Sequence, residues 1–269
     1  MSDKDDIETI DTHPRGKWRK QLDVRETAAL TVVLTFIIGS TATYVQRHAL
    51  GLGASEEMRK TIRIITMFTW VSAPVAALVG AVVIVSLLHK PHFGDNPPPE
   101  ADHEIRNDPR INAVWVVVSS LLCLFAVVVG IVFLQQDNRS LEEADALHVK
   151  VTGQQWIWNF TYPGWNDPKH NNETFRSGEL YMPVNQDVVF DVTSVDVKHS
   201  FWLVQLGVKI DANPGFVTQT AVHPEKIGVY DLRCAELCGL LHAYMQHKVH
   251  VVSQADYESW LASQGAVKA

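Results

Sequence analysis

Cysteine is scarce, with three in 269 residues, too few for a disulfide-stapled secreted scaffold. No stretch interleaves basic side chains with aromatics, and the net charge is −7, which argues against nucleic acid as a partner. Internal repeats and low-complexity tracts are also missing. Charge itself is unevenly absent: none of the 23 basic and 30 acidic side chains falls in 27–46, 64–88 or 111–134. A hydrocarbon layer of roughly 30 Å takes about 20 helical residues to cross. Each window is long enough, so a wholly soluble chain is excluded and membrane lipid is a partner.

Residues 1–26 read as a cytoplasmic tail, with Arg15, Lys17, Arg19, Lys20 and Arg25 on the inner side. This lead-in is too long and acidic for a signal peptide and lacks a small-residue cleavage site. The window 27–46 is the weakest, diluted by Thr27, Thr31, Thr35, Ser40, Thr41 and Thr43. We read it as a first span in preference to an interfacial helix. In 64–88, Pro74 is expected to kink the helix. The connection His89–Arg110 holds Pro91, Pro97, Pro98, Pro99 and Pro109 and reads as an irregular loop. Three spans within 27–136 and an inside N-terminus place 137–269 outside, on the extracytoplasmic face of the membrane. Residues 137–269 carry 10 basic and 16 acidic side chains, which favours cationic partners through long-range steering.

Beyond Gln136 the apolar period falls to two. Leu147, Val149 and Val151 alternate with polar neighbours, and short runs follow at 155–162, 180–184, 188–195, 216–222, 227–232 and 248–252. Pro163-Gly164, Asn166-Asp167-Pro168, Asn171-Asn172, Pro214-Gly215 and His223-Pro224 punctuate them. The pattern predicts an all-β antiparallel sandwich or barrel. Ser253 is placed to cap a terminal helix running from Gln254 to about Ser263.

The chemistry concentrates in Cys234-Ala-Glu-Leu-Cys238-Gly-Leu-Leu-His242-Ala-Tyr-Met245, with His199 upstream in Asp196-Val-Lys-His199. Thiolate, thioether and imidazole together favour copper. A mononuclear blue-copper site needs one Cys, so the second cysteine lets two coppers share both sulfurs. His199 and His242 would then serve one metal each, with Met245 as a weak ligand and the Glu236 carbonyl completing the set. Bridging thiolates spread the unpaired electron over two metals, which keeps the geometric change on reduction small. A Cys2His2 zinc site remains open but leaves Met245 unexplained. A Cys234–Cys238 disulfide remains open too and leaves both histidines unexplained.

The segments Asp196–Trp202, Leu206–Gly215 and Cys234–Met245 resemble those of subunit II of haem–copper cytochrome c oxidases, a likeness covering nearly all of 110–253. The resemblance implies a cupredoxin-like Greek-key barrel bearing a dinuclear copper A centre. Its ligands would be His199, Cys234, the Glu236 carbonyl, Cys238, His242 and Met245. It implies further that the Glu236 carboxylate holds magnesium at the boundary with subunit I. Gly153-Gln-Gln-Trp156-Ile-Trp158 is similar to the family's tryptophan-rich stretch, which makes Trp156 the residue where electrons enter and leaves Trp158 as core. The implied function is electron acceptance from a soluble or membrane-bound cytochrome c and onward transfer to haem in subunit I, where oxygen becomes water and protons are translocated. The same role in a copper-A nitric oxide reductase is the nearest alternative. A zinc-stabilised, membrane-anchored binding domain is the alternative from another class. A quinol oxidase subunit is disfavoured, because that branch lacks the cysteine pair.

The sequence departs from the family at several points. Members usually have two spans, so 27–46 is extra. The Glu that opens their last span, at the mouth of a proton path, is replaced by Asn112, which cannot titrate; Glu104 is a substitute on the same loop. Asp196, Glu179 and Asp167 are candidates for steering the donor's positive face. Cys123 reads as apolar packing, and His247 and His250 as solvated.

Overall fold

The computed structural model describes residues 24–50, 53–88, 109–139 and 145–269. The N-terminal tail up to Asp23 and nearly all of the proline-rich connection, Glu104 included, lie outside them. Three helices come first: α1 (Val24–Leu50), α2 (Glu56–Leu88) and α3 (Pro109–Arg139). All three are long and apolar enough to cross a membrane. Each reaches past its uncharged window into polar flanks. At the start of α2, Glu56 and Glu57 sit in the first turn, where carboxylates complement the helix dipole. The helix runs on through Pro74.

Two of the threonines that dilute the first window are accommodated locally, whereas the buried Thr27 and Thr43 hydroxyls have no hydrogen-bond partner. The Thr31 and Thr35 hydroxyls donate to the carbonyls of Thr27 and Thr31 at 2.7 and 2.8 Å, so an apolar surrounding strands neither hydroxyl. Phe36 of α1 meets Trp70 of α2 edge-on, their ring centroids 6.2 Å apart.

By contact the described residues fall into two units. One holds the chain up to Tyr44 and from Met67 to the end of α2; the other holds Val45–Thr66 and everything from α3 onward. The second unit contains the β-domain. Its strands are β1 (Leu147–Gln154), β2 (Ile157–Asp167), β3 (Glu173–Ser177), β4 (Leu180–Pro183), β5 (Val188–Ser194), β6 (His199–Leu203), β7 (Val208–Ala212), β8 (Thr218–Val222), β9 (Gly228–Cys234), β10 (Gln246–Val252) and β11 (Val267–Lys268). One sheet runs β11-β2-β1-β5-β8 with β3 on β2, and the other runs β4-β10-β9-β6-β7. Trp158, Phe160, Phe190, Phe201, Leu203 and Leu232 fill the cupredoxin-like sandwich and are wholly or almost wholly buried.

The sheets are mixed, because β1–β5 and β4–β10 pair parallel while their neighbours pair antiparallel. Gln155 and Trp156 form the two-residue tip between β1 and β2 and are not strand. Pro163-Gly164 lies inside β2, where the register with β3 shifts between Thr161 and Asn166; a proline fits a strand at such an irregularity. Strands β6 and β7 show no clean alternation, since β6 is buried on both faces. Ser253 caps the last helix, α4 (Gln254–Gln264), accepting from the Asp256 N–H at 3.1 Å. Its Trp260 stacks on Tyr181 with centroids 4.3 Å apart.

The α1–α2 connection docks on the β-domain. Ala54, Ser55 and Met58 are buried there. Glu225 N donates to Ala54 O at 2.9 Å and Glu56 N to His223 O at 3.1 Å. Arg59 pairs with Glu225 at 2.6 Å, and His223 N donates to Glu57 Oε2 at 3.0 Å. Gly207, at a φ of +72°, admits this segment: a Cβ there would stand 2.7 Å from Met58 Cα.

Candidate metal centre

Two neighbouring strands and one loop assemble the donors. In the β6–β9 register Phe201 faces Cys234, so His199 at the head of β6 lies beside the end of β9. The chain then leaves β9 into a loop, turns through a short 3-10 segment at His242–Tyr244 and returns as β10. Cys234 N donates to Met245 O at 3.0 Å and closes the loop, and Ala235 N donates to Ser200 O at 3.0 Å, fastening it to β6.

Cys234 Sγ lies 3.8 Å from Cys238 Sγ, 3.9 Å from His199 Nδ1 and 3.2 Å from the Glu236 carbonyl oxygen. Cys238 Sγ lies 3.6 Å from His242 Nδ1 and 3.8 Å from Met245 Sδ. Both thiols are free, and their separation far exceeds the roughly 2.05 Å of a disulfide. His199, Cys234, Cys238 and Met245 are all buried.

This donor set fits two metals better than one. A tetrahedral zinc ion with bonds of about 2.0–2.3 Å would draw all four donors within about 4 Å of one another. The ligand atoms of His199, Cys234 and Cys238 lie within 4.8 Å of one another, but His242 does not join that group. One imidazole stands by each sulfur, with a carbonyl on the Cys234 side and a thioether on the Cys238 side, so two soft-ligand metals can share the thiolates. In the metal-free protein, burial first and the adjacent Cys234 second push the Cys238 thiol up to about 11. Metal binding must therefore displace protons.

Asp196 orders the His199 side. Its Oδ1 takes His199 Nε2 at 2.9 Å and Val197 N at 2.7 Å, and its Oδ2 takes Gln155 N at 2.8 Å. Burial raises its pKa, but the hydrogen bonds from Gln155, His199 and Val197 outweigh this and hold it at about 2. A carboxylate on the remote nitrogen fixes the imidazole tautomer and turns Nδ1 toward the sulfurs. Asp196 is thus engaged in the site, a role its place three residues before His199 could have signalled. Asp167 is likewise committed, to His170 at 2.6 Å, whereas Glu179 is exposed.

Trp158 is core, 1% exposed, its ring 5.9 Å from that of His199. Trp156 is half-buried at the hairpin tip. Leu237, Leu240 and Tyr244 stand strongly exposed on the Cys234–Met245 loop itself, apolar surface of the kind that serves a protein interface. Asn112 is exposed on α3 and Cys123 lies farther along the same helix. His247 and His250 are half-buried, not solvated: burial lowers the pKa of His247, and His250 stacks on Tyr181 with centroids 4.4 Å apart.

The family model for the periplasmic domain of cytochrome c oxidase subunit II matches residues 174–252, a span that holds all six proposed donors. A probable cytochrome c oxidase subunit 2 of Rickettsia bellii is 33% identical over 213 residues, covering 74% of this chain and 76% of that protein. The chain belongs to the cytochrome c oxidase subunit II family. A second member, from Alkalihalophilus pseudofirmus, is 31% identical over 71% of this chain, and the chain spans 56% of that protein's length. Among solved structures, the periplasmic domain of subunit II from Bradyrhizobium japonicum is 33% identical, with 46% of this chain and 96% of that one covered at a TM-score of 0.40. As a member of that family, the chain is a cytochrome c oxidase subunit.

Proposed function

We propose that this chain is the electron-receiving subunit of a respiratory terminal oxidase, with 27–136 as its membrane region and 137–269 as its copper domain on the outer face. The observation that carries the reading is the paired donor set, two thiols 3.8 Å apart with a different imidazole beside each. Held by these residues, a dinuclear copper pair would supply one-electron redox chemistry, which suits the chain to connect cytochrome c with haem in subunit I, the place of oxygen reduction to water and proton translocation.

The chain's own residues prepare that site. Cys234 and Cys238 would hold the metals through their thiolates, His199 and His242 through one imidazole each, Met245 through its thioether and Glu236 through its carbonyl. The Glu236 carboxylate remains for magnesium at the subunit I boundary. Asp196 holds His199 in its tautomer, and the buried surroundings exclude water. Trp156 offers the donor an indole beside the Cys238 loop, and the exposed apolar side chains of that loop supply docking area. The acidic domain steers a cationic partner. The basic cluster ahead of α1 and the docking of the α1–α2 connection on the β-domain both support an outer position for that domain.

The test is metal content and the electron-spin spectrum of the purified chain. Two coppers per chain and a many-line hyperfine pattern are expected, and Cys234→Ser or Cys238→Ser should abolish both, since a hydroxyl is too basic to bridge. One zinc per chain, or unchanged copper in either mutant, overturns the assignment. For Trp156, rapid mixing of Trp156→Phe with reduced cytochrome c should show transfer slowed by orders of magnitude with the copper spectrum retained.

A further inference from the structure

The Gln155 side chain has no part in the chemistry above, yet the residue ties together both segments that carry candidate ligands. Its main-chain N–H donates to Asp196 Oδ2 at 2.8 Å, and Asp196 in turn holds His199. Its side-chain Nε2–H donates to the carbonyl of Cys238 at 2.7 Å. One residue at the β1–β2 tip thus reaches the approach to β6 on one side and the metal loop on the other.

The neighbouring Trp156 has no polar anchor of its own. Its Nε1 is buried without a hydrogen-bond partner. The indole instead lies over Gly239, where a Cβ would come 3.4 Å from Trp156 Cζ2 and Nε1 and 2.9 Å from Gln155 Nε2. Gly239, at a φ of +120°, allows both the backbone path and the close approach. Packing alone leaves a ring free to slide or tilt on a bare peptide. The adjacent carboxamide donates to the same Cys238–Gly239 peptide that the ring covers.

We infer that Gln155 is a positioning residue for electron transfer: its carboxamide, donated to the Cys238 carbonyl, holds the Trp156 ring against the Cys238–Gly239 peptide. The inference rests on the reading of Trp156 as the point where electrons enter. Electronic coupling decays exponentially with gap width, and small misplacements of reacting groups cost large factors in rate. Changing the Gln155 side chain keeps its main-chain N–H for Asp196 and removes no acidic group, so docking and transfer separate.

The experiment uses the full chain in detergent, in wild type, Gln155→Leu, Gln155→Met (similar length without a donor), Trp156→Phe and the double variant Gln155→Leu/Trp156→Phe. Rapid mixing with reduced cytochrome c at saturation should show Gln155→Leu and Gln155→Met slowed by about tenfold or more, with the copper hyperfine pattern, reduction potential and donor affinity of wild type. The double variant should be no slower than Trp156→Phe, because Gln155 acts through the indole. Hydroxyl-radical footprinting of the copper-free chain, read by mass spectrometry, should show labelling of Trp156 rising severalfold in both single Gln155 variants while Trp202 stays constant. Wild-type transfer and labelling in those variants, with Trp156→Phe slow, overturns the inference and leaves the reading of Trp156 standing. Wild-type transfer in Trp156→Phe overturns that reading itself. Copper loss or a shifted potential in both Gln155 variants also overturns the inference, assigning Gln155 to holding the metal loop.

Discussion

In α3, Leu121 and Leu124 stand 59% and 58% exposed, while in the β-domain Leu203 and Leu232 are wholly buried. The side chains are the same, but the partner that removes them from water differs. The strands bury apolar faces against each other and need a second sheet to do so. A helix such as α3 bonds its interior backbone groups within itself and leaves apolar side chains outward, where lipid or a neighbouring subunit can cover them. Substitutions should therefore act through packing in one region and through solvation in the other, and four predictions test that contrast.

Phe201→Ala should cost about 3–5 kcal/mol by opening a cavity, read as a lowered thermal midpoint for the β-domain with membrane insertion unaffected. A loss below about 1 kcal/mol would mean that the sandwich relaxes around the gap. Leu121→Lys in α3 should lower insertion by about 2.5–3.5 kcal/mol, read by a glycosylation-mapping insertion assay, while the domain's melt stays put. Unchanged insertion would place α3 beside water or an ion partner.

Gly207→Ala, where the α1–α2 connection meets the domain, should cost about 1–3 kcal/mol through backbone strain at a positive φ and displace Met58 besides. Limited proteolysis at 53–59 would report the release, and wild-type protection would show that the segment needs no close approach. The smallest effect concerns pH. Asp196 is held at about 2, below its unfolded value of about 3.9. It therefore contributes stability present above the unfolded value and lost as pH falls toward the folded one. Asp196→Asn should flatten the melting midpoint of the metal-free chain between roughly pH 4 and pH 2. An unaltered acid limb would remove Asp196 from that linkage.

Much of the molecule was legible because its signals are local. Absence of charge over 20 or more residues marks a helix that lipid can accept, and α1, α2 and α3 cover all three windows. Cysteine, histidine and methionine within twelve residues marked the candidate donors, because one short loop must present them together. Ser253 marked α4 because a cap needs only its own backbone. Less legible were β6 and β7, where burial on both faces or a short run hides the period of two. Pro163-Gly164 misled, since turn chemistry and a strand irregularity use the same residues.

The sequence by itself determined which segments are long and apolar enough to meet lipid, which side chains can bind a soft metal and which family the Cys234–Met245 loop resembles, because each depends on residue type and short spacing. Tertiary structure alone decided that His199 and His242 stand by different sulfurs, that Asp196 serves His199 and that Gln155 reaches the Cys238 carbonyl across 83 positions. It also decided that the α1–α2 connection seats on Gly207. These are contacts between residues far apart in the chain, set by how two sheets and a loop pack in space, and no spacing along the chain encodes them.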